Sequence, residues 1–187
     1  IDMARAARDL GADVHLLLGP TGSPEPPDLR TNRFTSAEDL FEKVRAEHGE
    51  SDVIIMCAAV SDFRPATSAD TKTAKADASL TIALQHTPDI LAWLGRNRTH
   101  GQRLVGFAME THQAHEHARE KLRRKAVDAI LMNELREGRS GFATDRNELT
   151  LIREGSPDRE FQGAKSEIAL QVLNALVEGW REEPDPA

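Results

Sequence analysis

Tyrosine is missing from this chain of 187 residues, and aromatic residues of all kinds make up 4% of it. Base stacking along single-stranded nucleic acid, which depends on aromatic platforms, is therefore not expected. A basic excess is missing too: 24 Lys and Arg stand against 31 Asp and Glu, a formal net charge of −7. A sequence-blind nucleic-acid binder needs the opposite balance to neutralise phosphates, so any basic site here must be local. The one cysteine, Cys57, excludes an internal disulfide framework and a four-cysteine zinc site, and suits a reducing, cytoplasmic setting. No apolar run approaches the roughly 20 residues that cross a bilayer; Val14–Leu18 and Val53–Val60 are of strand length, and no signal-peptide pattern is present. Neither a Gly-x-Gly-x-x-Gly turn nor a Gly-x-x-x-x-Gly-Lys-Ser/Thr loop occurs, so a dinucleotide fingerprint and a Walker loop are unsupported.

What is present reads as alternating strands and helices. Ala4, Ala7 and Leu10 share a helical stripe closed by Gly11, and Val14–Leu18 is a buried strand. Four of the nine prolines crowd into Gly19–Leu29, which must be loop. Ser36 caps a helix carrying Leu40, Phe41 and Val44, and Asp52–Cys57 is a second buried strand. A polar stretch runs to Lys75, Ser79–Gln85 alternates like a strand, and a helix starts at Thr87-Pro88-Asp89. Arg103–Phe107 is a strand, Thr111 caps a helix to about Ala126, and Val127–Met132 is a strand. Asn133–Asn147 is loop, Glu148–Arg153 a strand and Lys165–Trp180 a final helix. This order predicts an α/β fold: a Rossmann-like, doubly wound, mostly parallel sheet with helices on both faces. Residues 1–181 are expected to form one domain, with 182–187 a frayed tail. The chain enters a helical pattern at Ile1, where an α/β unit should begin with a strand, so its start is expected to be cut.

Ligands of such sheets bind beyond the carboxyl ends of the strands. After Cys57 comes Ala-Ala-Val-Ser-Asp62, read either as a small-residue turn or as a backbone shelf for a flat ligand with Asp62 as an added acceptor. Cys57 has no neighbouring activator that would make it a nucleophile. The stretch holding Lys72 and Lys75 is either a solvated loop or a flap that closes on an anion. The start at Pro88-Asp89-Ile90-Leu91 offers N–H groups to an anion, while Asp89 itself fits a helix-dipole partner or a metal carboxylate. Lys121 and Lys125 stack at i, i+4, which favours a polyanion between them unless Glu116 and Glu120 neutralise them. His112 and Glu116 share a helix face without the further ligands that a metal site needs.

Taken together these segments resemble one family. GADVHLLLGP, CAAVSDFRP, the lysine stretch, TPDIL, VGFAMET, the helix with Lys121 and Lys125, the turn at Met132–Leu135 and GFATDRNELTLI occur in register with the phosphopantothenoylcysteine synthetase (phosphopantothenate–cysteine ligase) domain of coenzyme A biosynthesis, in its bacterial CTP-using form. The resemblance implies a ligase that joins 4′-phosphopantothenate to L-cysteine through an acyl-cytidylate, with CTP as co-substrate and Mg²⁺ as cofactor. It implies that Met56, Cys57 and Ala58 shelve the cytosine, that Asp62 contacts the nucleotide and that Phe107 borders it. Pro88, Asp89, Ile90 and Leu91 would hold the triphosphate with Lys121 and Lys125, and Lys72 would be the catalytic flap lysine. No residue is implied as a protein ligand to a metal. A small flap and dimerisation lobe, a homodimer and a fused or associated flavin-dependent decarboxylase are also implied. The family's first strand, its glycine-rich turn and its Asn/Ser/Gly substrate segment do not precede Ile1. The flap reads Lys72-Thr73-Ala74-Lys75 where the family has Lys-x-Lys-Lys, and Glu134 stands where it usually has Asp. A CTP-binding homologue or assembly module with impaired catalysis is the alternative those departures leave open.

Overall fold

The computed structural model describes residues 1–67, 81–110, 113–134 and 146–182. The chain runs α1 (Asp2–Asp9), β1 (His15–Leu18), β2 (Arg30–Arg33), α2 (Ala37–Glu47), β3 (Val53–Met56), β4 (Phe63–Pro65), β5 (Leu84–His86), α3 (Ile90–Asn97), β6 (Arg103–Glu110), α4 (Ala114–Lys125), β7 (Ala129–Glu134), β8 (Arg146–Ile152), β9 (Arg159–Ala164) and α5 (Lys165–Glu182). The main sheet has the order β3-β6-β7-β8-β9. β3, β6 and β7 pair in parallel, and two antiparallel steps return β9 to the same direction, so only β8 runs against the rest. β1 and β2 form a separate parallel pair, and β4 and β5 a two-stranded antiparallel lobe.

Alternation along the central strands sends apolar side chains to both faces. Val105, Ala129 and Leu131 pack with Leu149, Leu151 and the buried stripe of α5, joined by Ala6 of α1. Leu104, Ala108, Ile130 and Met132 pack on the opposite face with Leu40 of α2, Ile90, Leu91 and Leu94 of α3, and Ala114, Ala118 and Leu122 of α4. Helices cover both faces, as the near-continuous hydrophobic strands require.

The ends of the helices follow local chemistry. Ser36 accepts from Asp39 N at 3.1 Å and caps α2. Gly11, at φ +92°, closes α1 with the bond from Ala12 N to Ala7 O that completes a Schellman turn. At the end of α4 the same left-handed position is held by Ala126, at φ 51°, with Val127 N donating to Leu122 O. An alanine pays a steric cost there that glycine does not. Ala126→Gly is therefore expected to raise stability by about 1 kcal/mol, read as a higher urea midpoint; a lower midpoint would contradict this account of the turn.

Several boundaries differ from the sequence reading. β2, β4 and β9 were not expected, because Arg30–Arg33, Phe63–Pro65 and Arg159–Ala164 lack a continuous apolar run and are ordered by pairing with a neighbour. Gln113, at φ 51°, rather than Thr111 precedes α4. β7 begins at Ala129 because the Asp128 carboxylate folds back onto Leu104 N at 2.6 Å. The lysine stretch with Lys72 and Lys75, the turn after Glu134 and residues 183–187 of the expected tail lie outside the described residues.

Candidate functional site

The register Met56↔Gly106 brings the carboxyl end of β3 beside the middle of β6, so Cys57 and Ala58 leave the sheet next to Phe107 while β6 runs on to Glu110. Gly106 allows this layer to close, because a Cβ there would lie 2.7 Å from Leu91 and 2.9 Å from Ile130. Met56 is half-buried, and Cys57 and Ala58 are exposed. Although the residue as a whole is exposed, desolvation of the Cys57 thiol by neighbouring protein pushes its pKa up to about 12, the reverse of what a nucleophile needs. Asp62 follows at the rim, where its carbonyl accepts from Thr87 N at 3.0 Å. The Thr87 hydroxyl donates to Ser61 O, so the turn after β3 and the approach to α3 are tied together beside that rim.

α3 begins at Asp89, whose carboxylate accepts from Ala92 N at 3.1 Å. Ile90 and Leu91 are buried in the core at 2% and 7% exposure, so their side chains serve packing and only backbone groups of this turn can meet a ligand. α4 lies alongside. Gly95 of α3 faces its last turn so closely that a Cβ would sit 1.8 Å from Lys125 O. Arg98 then fastens the same end, with its guanidinium on Asp128 at 3.0 Å and on Ala126 O.

That docking aims one face of α4 at the strand ends. Lys121 Nζ donates to Phe107 O at 2.7 Å, and Lys125 Nζ forms an ion pair with Asp89. With Asp62, Glu110, His117, Glu120 and Arg124 they line a cleft of about 360 Å³. Burial opposes ionisation of Asp89, but the hydrogen bond from Lys125, that from Ala92 N and the fields of Lys125 and Arg124 outweigh it and hold its carboxyl below the usual range. Burial lowers the pKa of Lys121; Glu110 pulls it back up, while Lys125 and Arg124 push it further down. The cleft thus sets the cations Lys121, Arg124 and Lys125 against the carboxylates of Asp62, Glu110 and Glu120, and one of its lysines is partly desolvated.

The structure therefore brings Asp62, Lys121 and Lys125 to one cleft, with Asp89 joined to it through its ion pair with Lys125 and Phe107 through the carbonyl that holds Lys121. Lys72 lies outside the described residues. Arg124 and Glu110 were missed by the sequence reading, although positions 121, 124 and 125 follow one helical stripe, and His117, noted only within a histidine-rich run, also lines the cleft. Of the histidine-rich start of this helix, His115 faces Asp158 at 3.0 Å and His117 faces Glu110 at 3.4 Å, while His112 lies outside the described residues.

Comparison with known proteins gives a consistent set of relatives. The family model described as DNA/pantothenate metabolism flavoprotein C-terminal domain matches residues 1–179. The coenzyme A biosynthesis bifunctional protein CoaBC of Mycobacterium tuberculosis strain H37Rv is 38% identical over 187 residues, covering 94% of this chain and 44% of that protein. A protein of an unknown prokaryotic organism named cysteine/cysteine sulfinic acid decarboxylase is 35% identical over 179 residues, covering 95% of this chain and 50% of that protein. The crystal structure of the C-terminal domain of a CoaBC protein superposes with a TM-score of 0.79 at 31% identity, covering 97% of this chain and 82% of that one. The chain spans about half the length of the curated relatives it matches.

Proposed function

Because the chain belongs to the DNA/pantothenate metabolism flavoprotein C-terminal domain family, we propose that it is a phosphopantothenate–cysteine ligase of coenzyme A biosynthesis that activates its acid with CTP. The observation that carries the reading is the convergence of Lys121, Lys125 and Arg124 with the start of α3 in one cleft at the carboxyl ends of β3 and β6. In the first half-reaction a carboxylate oxygen of 4′-phosphopantothenate attacks the α-phosphorus of CTP, the bond to the β-phosphate oxygen breaks, and pyrophosphate leaves. In the second, the cysteine amine attacks the acyl carbon, CMP leaves with the bridging oxygen, and the amine gives up a proton as the amide forms. Such transfers ask the protein chiefly for positioning and charge neutralisation, which lysines, an arginine and a helix start supply. Met56, Cys57 and Ala58 offer backbone groups to the base, Asp62 and Phe107 border the nucleotide, and Lys72 acts in turnover of the acyl-cytidylate. Pro88, Asp89, Ile90 and Leu91 hold phosphate through the backbone of their turn, with Asp89 yielding Lys125 when the nucleotide enters.

Mg²⁺ belongs to this reading as an ion carried on the nucleotide. Among the described residues no three His, Cys, Asp or Glu side chains converge to hold a metal, while the cleft carries the carboxylates of Asp62, Glu110 and Glu120 beside which such an ion would sit. Bound to the phosphates, Mg²⁺ would supply charge neutralisation.

The test is CTP-dependent pyrophosphate release by the native polypeptide on addition of 4′-phosphopantothenate, followed by CMP release when L-cysteine is added. Absence of pyrophosphate release by the folded protein sinks the reading. A flavin-dependent decarboxylase, fused to this domain or associated with it, is the proposed partner, in keeping with the bifunctional relatives. A cytoplasmic setting fits a substrate set of soluble metabolites.

The proposed homodimer has a surface to use. Phe63 and Leu84 on the β4–β5 lobe and Ile82 beside it are 49%, 59% and 60% exposed, and a lone two-stranded pair is marginal in water. A second copy covering this lobe would remove that apolar surface from solvent. The double variant Phe63→Asp, Leu84→Lys is expected to shift the native mass to that of a monomer in analytical ultracentrifugation; an unchanged mass would take the dimer contact away from this lobe.

A further inference from the structure

Five cations lie along the described length of α4, and four are committed. Arg119 pairs with Asp158 at 2.6 Å, Lys121 donates to Phe107 O, Arg123 reaches Glu154 at 3.6 Å and Lys125 sits on Asp89. Arg124 lines the cleft and, among the described residues, has no hydrogen bond or ion pair; Glu120, one turn away on the same cleft wall, does not engage it. Its charge is nonetheless felt at both Lys121 and Asp89, so it stands over the same space. Resting on the reading above, we infer that Arg124 is the residue that grips the β- and γ-phosphates of the entering nucleotide, and so lets the site tell the triphosphate substrate from the monophosphate product.

The chemistry differs from that of the lysines. A guanidinium is a planar fork of donors that meets a phosphate bidentately, and it stays charged at any pH the protein survives. Lys121 is tied to a backbone carbonyl, next to the strand end where the α-phosphate would react. Lys125 must first release Asp89. Arg124 needs to break nothing, and lies one turn beyond Lys121 on the same cleft wall. A nucleoside monophosphate has no group to place there, so cleavage between the α- and β-phosphates removes the contact, and CMP is held less tightly than CTP.

Calorimetric titration of the native polypeptide with CTP, CMP and inorganic pyrophosphate tests this. Arg124→Gln is expected to weaken CTP and pyrophosphate about 10-fold, the size of one hydrogen bond to a charged group, while CMP stays within about twofold. Arg124→Lys restores only part of the loss, since a point charge replaces a fork. CTP binding unchanged in Arg124→Gln, or CMP weakened in parallel with CTP, would overturn the assignment. Wild-type protein that fails to bind CTP at all overturns the nucleotide reading itself, a result visible without any variant.

Discussion

Lys121→Met is expected to slow pyrophosphate release by about 10²-fold, the scale on which removal of one preorganised donor to a developing charge is felt. The substitution is nearly isosteric, so the fold should survive, yet the Phe107 carbonyl loses its partner and the cleft loses the ammonium held on β6. The pH dependence carries a second signature. Burial first, with Lys125 and Arg124 assisting, lowers the pKa of Lys121 from the ordinary 10.5, against the pull of Glu110 and Asp89. Its positive charge is therefore lost at lower pH than that of a free lysine, and CTP affinity should fall on the alkaline side as the group deprotonates. For stability the sign is reversed. The fold disfavours the ammonium, so this lysine lowers stability below its folded pKa, and that penalty fades as pH rises from there towards 10.5. Lys121→Arg, which cannot deprotonate, should abolish the alkaline limb of CTP binding while keeping measurable turnover. A methionine variant with wild-type release rate would remove Lys121 from the phosphate site.

The second large effect is expected from a residue that touches no ligand. Gly95→Ala should gain up to about 1 kcal/mol from helix propensity at an exposed helical site. Here the sign turns over. The new Cβ meets Lys125 O at 1.8 Å, Lys125 C at 3.0 Å and Ala126 O at 3.2 Å, all backbone atoms that cannot swing aside. Overpacking of this kind costs about 1 to 3 kcal/mol, so the urea midpoint should fall rather than rise. The last turn of α4, fixed by Arg98 on Ala126 O and Asp128, must then move off α3. Lys125 and Arg124 move with it, so CTP affinity should fall in the same variant even at temperatures where it is fully folded. A more stable Gly95→Ala protein would show that the two helices are not in the contact described.

Much of the fold was legible in the sequence because the relevant forces are local or periodic. The run at Leu104–Val105 is apolar on both faces and is fully buried, as a central parallel strand requires, whereas the expected buried strand at Val53–Met56 is parallel but lies at the sheet's edge among the described residues, with Val53 exposed. Ser36, Gly11 and Asp89 announced helix ends through hydrogen bonds made within four residues. β2, β4 and β9 were illegible for the complementary reason: polar segments such as Arg30–Arg33 become strands through partners far away in sequence. The site divides similarly. Lys121 and Lys125 were visible as an i, i+4 pair, but their separate commitments, one to a carbonyl and the other to Asp89, depend on how α4 lies against α3 and β6. Ile90 and Leu91 were read as ligand-binding positions, and the packing gives their side chains to the core.

The scarcities of the sequence bounded, by themselves, what these residues can use: a single cysteine leaves no internal disulfide, and an acidic balance leaves no global basic field. Its order of motifs settled the family. Only the tertiary structure decided that three cations of an acidic chain face one cleft together with three carboxylates, because sequence separation does not fix which charges meet in space. Gly95 lets two helices approach, Asp89 and Phe107 engage two of the cations, and Arg124 is left over the cleft with its donors unspent.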